Sequence, residues 1–319
     1  MAIMREVAMM RAVRMNAYGG PDVLAAGEAR KPEPGVGEVL IRVCAAGVNP
    51  VDWKLRAGYF KERIKRSFPL IPGWDVSGVV EAVGGGVEDF KIGDEVFGKL
   101  DFARDGAYAE YVAARARDLA RKPRSFDHVH AAAVPLAALT AWQSLFDVGN
   151  LYAGQTILIH AAAGGVGHFA VQLAKWKGAR VIATVSAANA EFARALGADE
   201  VIDYQKTRFE EAAKAVDLVL DTIGGDTQQR SYKSLKRGGT LISTVGITSA
   251  PAAAEHGVRC ESVMVRSDGK ELAQIAELID AGRLRVDIQT VLPLSQAATA
   301  QELSQMGHVR GKIVLKVGD

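Results

Sequence analysis

A glycine-rich turn near the middle of the chain has the residue types and spacing that can hold a phosphate group. The apolar run at residues 156–160 is followed by Ala161-Ala162-Ala163-Gly164-Gly165-Val166-Gly167, and a helical pattern begins directly after it. Glycine lets the backbone approach a pyrophosphate closely, and a helix N-terminus offers free N–H groups with a partial positive charge. Glycine-rich turns also occur at the ends of strands without any binding function, but the position of this turn between a strand and a helix favours a dinucleotide site. We therefore predict cofactor contacts from Ala163, Gly164, Gly165, Val166 and Gly167.

The next strand lacks the carboxylate that usually accepts hydrogen bonds from the adenosine ribose of NAD. It ends in ATVSAAN at residues 183–189, whose small polar side chains tolerate a 2′-phosphate, and this favours NADP(H) as cofactor. No Lys or Arg lies between Val181 and Ala193 to pair with that phosphate. The predicted contacts are Thr184, Ser186, Asn189 and Tyr204. Ser186 and Asn189 are equally suited to capping a helix that begins near residue 190.

The elements that position this turn alternate between strand and helix from about residue 134 to residue 283. The predicted strands are residues 156–160, 180–185, 200–202, 217–220 and 240–245, and the predicted helices are 166–177, 190–196, 210–215, 227–236 and 271–281. Short, nearly continuous apolar strands joined by helices are typical of a parallel, doubly wound sheet. We predict a Rossmann dinucleotide-binding domain over residues 134–283, and thus an α/β fold.

The rest of the chain is mainly β. Strand-like runs at residues 11–15, 38–44, 78–83 and 95–97 are separated by clusters of Gly and Pro. The alternation of KIVLKV at residues 312–317 suits a strand of the same β-rich half. We therefore predict a second domain built from both chain ends, residues 1–133 and 284–319.

Several segments resemble the medium-chain dehydrogenase/reductase superfamily, and within it the zinc-free quinone oxidoreductase branch. The resemblance covers nearly the whole chain. It is carried by AAGVNPVD at 45–52, PGWDVSGVV at 72–80, GDEV at 93–96, the turn at 161–167, LGAD at 196–199 and GKIV at 311–314. It implies that the β-rich domain is a GroES-like barrel, and that two copies form a homodimer through a sheet edge around residues 258–265.

The same segments depart from the pattern of zinc-dependent relatives. Those proteins have a Cys in the first loop and Gly-His-Glu in the second, whereas this chain has VNPVD at 48–52 and GWD at 73–75. It has only Cys44 and Cys260, which cannot form the four-cysteine cluster that holds a structural zinc. His128 and His130 are two residues apart, but such a pair is more typical of a polar surface turn. We expect no metal site.

The resemblance also implies roles for residues outside the glycine turn. Asn49 is placed near nicotinamide and substrate, Asp52 supports its loop, and Tyr59 is a candidate proton donor or simply a packed ring with a wetted hydroxyl. Thr140 borders the cofactor, and Arg310 and Lys312 either face it or are solvated charges. Candidates at the carboxyl ends of later strands, where ligands of such sheets bind, are Thr222, Thr244, Val245 and Gly246.

Absence of zinc would constrain the reaction. Without a Lewis acid, alcohol oxidation loses several kcal/mol of transition-state stabilisation, whereas a conjugated carbonyl compound delocalises its own negative charge. We expect NADPH-dependent reduction of a quinone or an α,β-unsaturated carbonyl compound, by direct hydride transfer in a cleft between the two domains.

Two alternatives stay open. An enoyl-thioester reductase would need a basic entry for the phosphate of coenzyme A or a carrier protein, and Lys61, Arg63, Lys65 and Arg66 form a cluster that is either this entry or a solvated loop. An NADPH-binding sensor or a crystallin-like protein would need the same cofactor site and no turnover.

Composition excludes other classes of function. The 39 basic and 37 acidic residues leave a formal net charge of +2 and are spread along the chain, so we expect no nucleic-acid partner. Residues 1–10 include Arg5 and Glu6 and do not form a signal-peptide core. Charged residues interrupt every apolar stretch before the roughly 20 residues of a membrane span. We expect a cytoplasmic enzyme with no membrane partner.

Overall fold

The computed structural model describes residues 8–64 and 67–318, which divide into two compact units. Unit 1 contains the described residues up to Leu136, the segment Ser267–Asp280 and the described residues from Ile288 onward. Unit 2 contains Ala137–Arg266 and Ala281–Asp287. The chain therefore passes from unit 1 to unit 2 and back twice.

Strands and helices are numbered separately in chain order over the described residues. The strands are β1 Met9–Met15, β2 Leu24–Arg30, β3 Glu38–Val48, β4 Asp75–Val83, β5 Glu95–Lys99, β6 Tyr111–Arg115, β7 Leu119–Arg121, β8 Thr156–Ile159, β9 Arg180–Val185, β10 Glu200–Asp203, β11 Val216–Asp221, β12 Leu235–Ser243, β13 Arg259–Ser262, β14 Ile288–Pro293 and β15 Lys312–Lys316. The α-helices are α1 Pro50–Arg56, α2 His128–Ala132, α3 Pro135–Trp142, α4 Gly165–Trp176, α5 Ala190–Ala195, α6 Phe209–Ala212, α7 Gly225–Ser231, α8 Ala250–Glu255, α9 Gly269–Asp280 and α10 Ala297–Met306.

Unit 2 is built on a parallel sheet of six strands in the order β10-β9-β8-β11-β12-β13. Its strands are almost continuously apolar because both faces are covered, and Leu158, Ile182, Val219 and Leu241 are buried in them. Successive strands run outward from β8 to one side and from β11 to the other. Ligands of such sheets bind at the carboxyl ends of the strands beside this reversal. The predicted Rossmann fold is confirmed.

Two parts of unit 2 differ from the prediction. The helix predicted over residues 227–236 is α7, which ends at Ser231, because Leu235 already pairs with Val216 of β11. The residue pattern did not predict strand β13, since only Cys260 in its sequence Arg259-Cys260-Glu261-Ser262 is apolar, although the family resemblance implied a sheet edge around residues 258–265. It forms the outer edge of the sheet beside β12, so its exposed side needs no apolar residues.

Unit 1 is rich in β-structure. Seven strands form one sheet, with β14-β15-β3-β4-β5-β7 in order and β6 paired with β3, while β1 and β2 form a separate antiparallel pair. The strand predicted at the end of the chain is β15, which pairs antiparallel with β3 and parallel with β14. Trp74, Phe97 and Leu315 lie in the buried interior. This is the β-rich, GroES-like domain that the sequence predicts.

Helix α9 lies in unit 1, although its periodicity placed it in the dinucleotide-binding domain, so the predicted boundary at residues 283 and 284 differs from the observed one. A Cβ on Gly269, its first residue, would lie 2.2 Å from the backbone oxygen of Leu119. At its last residue, Asp280 accepts hydrogen bonds from Ser125 and from the backbone N–H of Arg124. Contacts distant in sequence therefore decide where the helix packs.

Among the described residues, every helix is too short or too polar to cross a lipid bilayer.

Candidate functional site

The glycine-rich turn in unit 2 ends in an open helix N-terminus. Gly164 is the N-cap of α4, and the first N–H bonded into that helix is that of His168, 3.0 Å from the Gly164 oxygen. The preceding N–H groups, those of Gly165, Val166 and Gly167, have no backbone acceptor among the described residues. A helix start with free donors fits a pyrophosphate.

Close packing explains why this turn needs glycine. A Cβ on Gly167 would lie 2.2 Å from the Ala161 backbone oxygen and 2.7 Å from the Ala162 Cα, so no larger residue fits. A Cβ on Gly164 would lie 3.3 Å from the same oxygen and would project from a half-buried position, alongside half-buried Gly165. The residues present therefore fit the dinucleotide that the sequence predicts, with Ala163 buried behind them.

Thr184 does not face a ligand, and its predicted cofactor contact is wrong. Its side chain is buried, and its Oγ1 lies 2.9 Å from His160 Nδ1. The Ser231 hydroxyl donates to the Thr227 oxygen and lies 2.9 Å from His160 Nε2, so the histidine donates through Nε2 and accepts through Nδ1. Burial lowers the pKa of His160 to about 4, and the ring stays neutral. This histidine, missed in the sequence, supports the strand end before the turn.

The other predicted 2′-phosphate contacts lie together at the carboxyl ends of two paired strands. Ser186 follows β9, Tyr204 follows β10, and the Tyr204 N–H donates to the Val185 oxygen at 3.2 Å. Asn189 Nδ2 donates to Ser186 Oγ at 3.2 Å. Both residues occupy N-cap positions of the following helical turns, as predicted, but neither side chain makes a capping hydrogen bond there. Tyr204 is 47% exposed and open to a ligand.

Asp221 organises the neighbouring loops, and the sequence analysis missed it. Its buried carboxylate accepts four hydrogen bonds, from the N–H groups of Ile223 and Gly224, from Gln228 Nε2 and from the Ser243 hydroxyl. Gln228 also donates to the Gly246 oxygen at 2.8 Å. The sequence feature that could have identified it is an acidic residue at the end of an apolar strand of the parallel sheet.

Backbone oxygens of Asp221 and His160 hold the predicted strand-end residues Thr244 and Thr222. The Thr244 N–H donates to the Asp221 backbone oxygen at 3.0 Å, and the Thr222 hydroxyl donates to the His160 oxygen at 3.3 Å. Val245 is partly exposed. Thr140 is buried in α3, and its predicted place beside the cofactor stays a prediction.

In unit 1, Asn49 is the centre of a buried polar cluster at the junction of β3 and α1. Its Nδ2 donates to Asp75 Oδ2 at 2.8 Å, and its Oδ1 accepts from the Lys312 ammonium. Lys312 also donates to the Val48 oxygen at 3.1 Å and lies 3.5 Å from Asp75 Oδ2. Asp75 Oδ1 is held by the N–H of Leu136 at 2.7 Å. The pairing of β15, β3 and β4 places these residues at one end of the sheet.

Lys312 is therefore neither a direct cofactor ligand nor a solvated charge, the two interpretations offered by the sequence. Its side chain is only 3% exposed. Burial lowers the pKa of Lys312, while the Asp75 and Asp52 carboxylates oppose that shift. Burial likewise raises the pKa of Asp75, against the effect of the nearby ammonium. Arg310 is exposed, and its backbone N–H donates to Gln289 Oε1.

Asp52 supports the same loop, as the resemblance implies. Its Oδ2 accepts from the Asn49 N–H at 2.9 Å, which fixes the start of α1, and from the Tyr108 hydroxyl at 2.8 Å. Asp52, Asp75 and Tyr108 are fully buried. Tyr108 was not singled out in the sequence, and Asp75 was noted only in the segment that replaces the Gly-His-Glu of zinc-dependent relatives, because only the fold brings both to Asn49.

Tyr59 is 71% exposed, and its ring makes an edge contact with Trp53 at 5.7 Å between centroids. Its proposed role as proton donor stays a prediction. In the basic cluster after it, Lys61 and Arg63 are described, whereas Lys65 and Arg66 lie outside the described residues.

Residues that suggested metal binding have other partners. His128 contacts Glu95 at 3.1 Å and Ser77 at 2.8 Å, while His130 contacts Asp127, the N-cap of α2. The indole N–H of buried Trp74 donates to a backbone oxygen at 3.3 Å. Over residues 8–64 and 67–318, no group of three His, Cys, Asp or Glu side chains could hold a metal ion. The donors at the ends of β3 and β4 thus do not fit zinc.

Two family models match this chain: "Alcohol dehydrogenase GroES-like domain" over residues 35–124 and "Zinc-binding dehydrogenase" over residues 196–315. A chloroplastic quinone-oxidoreductase homolog of Spinacia oleracea is 34% identical over 324 residues, covering 97% of this chain and 98% of the relative. The chloroplastic NADPH-dependent alkenal/one oxidoreductase of Arabidopsis thaliana is 37% identical over 317 residues, covering 96% and 79%.

A solved quinone oxidoreductase from Coxiella burnetii superposes with a TM-score of 0.92 at 38% identity, covering 98% of this chain and 100% of that one. Similarity of this extent includes both units and the glycine turn. The chain belongs to the medium-chain dehydrogenase/reductase superfamily, in its quinone-oxidoreductase-like branch, and is an oxidoreductase.

Proposed function

We propose that this oxidoreductase reduces quinones or α,β-unsaturated carbonyl compounds with NADPH, by direct hydride transfer and without zinc. The observation that carries the proposal is the closed cluster of Asn49, Asp75 and Lys312. In the two loops where zinc-dependent relatives place metal ligands, this chain has the Asn49 amide and the Asp75 carboxylate, which are bonded to each other and to the Lys312 ammonium. Relatives named for quinones and for alkenals or alkenones support the substrate class.

The cofactor would be held by the open end of α4. Free N–H groups of Gly165, Val166 and Gly167 suit the pyrophosphate. Ser186, Asn189 and Tyr204 suit the 2′-phosphate, since they are polar, adjacent and uncharged. When bound, NADPH supplies the hydride. The name of the alkenal/one oxidoreductase supports NADPH rather than NADH.

The chain's own contribution to the reaction would be stabilisation of negative charge. Hydride addition to a conjugated carbonyl compound moves an electron pair onto the carbonyl oxygen, and the resulting enolate or phenolate takes a proton from solvent or a nearby hydroxyl. A fixed amide donor can stabilise that oxygen, and Asn49 retains one Nδ2 hydrogen that its hydrogen bond to Asp75 does not use. We assign this donor role to Asn49.

We further propose a homodimer. Strand β13 is the edge of the six-stranded sheet in the described part of the chain, and its outer side is available to pair with the same strand of a second copy.

The test is oxidation of NADPH, followed by its absorbance, with a panel of quinones and enones. A chelator is included in a parallel series, and simple alcohols with NADP⁺ serve as the comparison. We expect turnover of at least one conjugated compound, unchanged by the chelator. Oxidation of simple alcohols alone, or activity that disappears on chelation and returns with zinc, would contradict the proposal.

A further inference from the structure

We infer that Lys312 is a positioning residue that fixes and polarises the Asn49 carboxamide, so that the remaining Nδ2 hydrogen becomes a strong donor to the substrate oxygen. This inference rests on the proposed function. According to this inference, a buried lysine on β15 affects the reaction although it does not contact the substrate.

The orientation of the amide follows from its two neighbours. An amide has an accepting end and a donating end, and the assignment of its O and N atoms depends on the surrounding hydrogen bonds. The Lys312 ammonium can only donate, so it must face Asn49 Oδ1. The Asp75 carboxylate accepts Nδ2 at 2.8 Å on the other side. Exchange of the two amide ends would set donor against donor and acceptor against acceptor.

Lys312 has no capacity left for a ligand. An ammonium has three hydrogens; Lys312 donates to the Val48 oxygen and to Asn49 Oδ1, and it forms an ion pair with Asp75 Oδ2 at 3.5 Å. Any influence on a substrate must therefore pass through Asn49.

The same contact strengthens the donor. A cation bonded to the amide oxygen draws electron density from the nitrogen, and hydrogen bonds in a chain reinforce one another where water is excluded. The Lys312 contact thus makes the remaining N–H of Asn49 a stronger donor than it would be beside the Asp75 carboxylate alone. A substrate oxygen gains from this mainly when it becomes negative, which favours the transition state over the bound ground state.

A purely structural role is the competing explanation. Lys312, Asn49 and Asp75 lie on or beside β15, β3 and β4, and the charge pair could simply join these strands. Loss of Lys312 alone leaves the Asp75 carboxylate buried without its cation, which destabilises a protein whatever the chemistry. The test therefore needs a variant that restores the stability of the fold but not the orientation of the Asn49 carboxamide.

Such a variant is Asp75→Asn combined with Lys312→Met. It removes both charges of the Asp75–Lys312 pair, and the oxygen of the carboxamide introduced in place of the Asp75 carboxylate can still accept from the Leu136 N–H. The nitrogen of this new carboxamide then faces Asn49, so Asn49 must turn its oxygen toward it. The fold is kept while the Asn49 carboxamide is inverted. Lys316→Met, on the exposed end of the same strand, is the matched control, and Asn49→Ala removes the donor itself.

Steady-state rates with NADPH and the best substrate of the panel are compared with thermal unfolding and with NADPH binding. Removal of one donor to a developing oxyanion typically lowers kcat about 10²–10³-fold. We expect Asn49→Ala to fall in this range, and both Lys312→Met and the double variant to lose about tenfold or more in kcat, with KM changed less than about threefold. Lys316→Met should match the wild type.

Combination with Asn49→Ala gives a second readout. Once the donor is absent, Lys312→Met should lower kcat little further, because residues that act as one unit are not additive. The inference is overturned if the double variant unfolds like the wild type and retains its kcat, if the losses multiply independently, or if both Lys312 variants fail to fold. Failure of the wild-type protein to reduce any quinone or enone would instead refute the proposed function.

Discussion

The Tyr108 hydroxyl donates a hydrogen bond to Asp52 Oδ2 at 2.8 Å inside the core of unit 1. The second oxygen of that carboxylate, Oδ1, has no hydrogen-bond partner among the described residues. Burial raises the pKa of Asp52 to about 7, against the lowering effect of the Asn49 N–H and Tyr108. The neighbouring Asp75 adds to the rise, and the Lys312 ammonium opposes it. The loop that carries Asn49 is thus held by an acid that changes its protonation near neutral pH.

This carboxylic acid should make the free energy of unfolding depend on pH. Between about 4, the ordinary pKa of Asp, and about 7, the folded protein binds more protons at Asp52 than the unfolded chain does. Stability therefore falls as pH rises through this window. In the Asp52→Asn variant, the free energy of unfolding should change less across this pH window than in the wild type, by on the order of 4 kcal/mol. Urea unfolding at several pH values measures it, with exposed Asp89→Asn as the control; parallel curves for wild type and Asp52→Asn would refute the expectation.

Gly167→Ala should disrupt the dinucleotide turn. The added Cβ would lie 2.2 Å from the Ala161 oxygen, so backbone atoms must move and the N–H groups at the start of α4 lose their alignment. We expect NADPH affinity to fall by about tenfold or more, equivalent to ~1.4 kcal/mol, as measured by calorimetric titration. Gly318→Ala, where a Cβ meets no atom within 4 Å, should leave binding unchanged. Equal affinities in both variants would exclude this turn as the cofactor site.

Asp221→Asn should destabilise unit 2 although it preserves shape. Four donors converge on the carboxylate, and an amide offers one accepting oxygen while its NH₂ group faces donors. Each unsatisfied buried group costs about 1–3 kcal/mol, so we expect a loss of roughly 3 kcal/mol in denaturant unfolding. Asp226→Asn, whose carboxylate is 79% exposed, should change stability by less than about 0.5 kcal/mol. A loss at Asp221 no larger than that would contradict the network described above.

Ser186→Asp should change cofactor preference. A carboxylate beside Asn189 and Tyr204 would repel a 2′-phosphate, whereas the ribose hydroxyl of NADH could bond to it. We expect NADPH affinity to fall about tenfold or more relative to NADH, with Ser186→Ala separating loss of the hydroxyl from gain of charge. Dissociation constants for both dinucleotides measure it. An unchanged ratio would show that the 2′-phosphate lies elsewhere.

Tyr59→Phe should have little effect on the rate. The Tyr59 side chain is 71% exposed, so water can deliver the proton that its hydroxyl would supply. We expect kcat to stay within about threefold of the wild type, below the range typical of a lost general acid. A hundredfold loss, with Trp53 packing and stability intact, would instead establish Tyr59 as the proton donor.

The Rossmann sheet could be predicted because the sequence patterns that specify its strands and helices are local. Strands β8, β9 and β11 are short apolar runs next to helical patterns, and the steric need for Gly167 follows from the turn itself. The edge strand β13 lacks that signal, and β6 and β7 are short strands whose pairing depends on β3 and β5. Helix α9 has clear helical periodicity, but periodicity does not identify the surface against which a helix packs.

The site in unit 1 was less accessible from sequence. Asn49 and Asp52 lie in one motif, three residues apart, and could be found together. Asp75, Tyr108 and Lys312 come from distant parts of the chain, and Lys312 in a strand could equally have pointed to solvent. The contact of Thr184 could not be predicted from sequence either, because only the fold reveals that its hydroxyl is hydrogen-bonded to His160.

Strand β15 has a consequence for how the protein is made. It lies between β14 and β3 in the sheet of unit 1, so residues that are translated after unit 2 complete a sheet whose first strands are translated before it. In nascent β3, residues 45–48 lack their partner strand on one side while the whole of unit 2 is translated. Unit 2 can fold during synthesis, and the newborn chain acquires its Asn49 cluster only when Lys312 has left the exit tunnel.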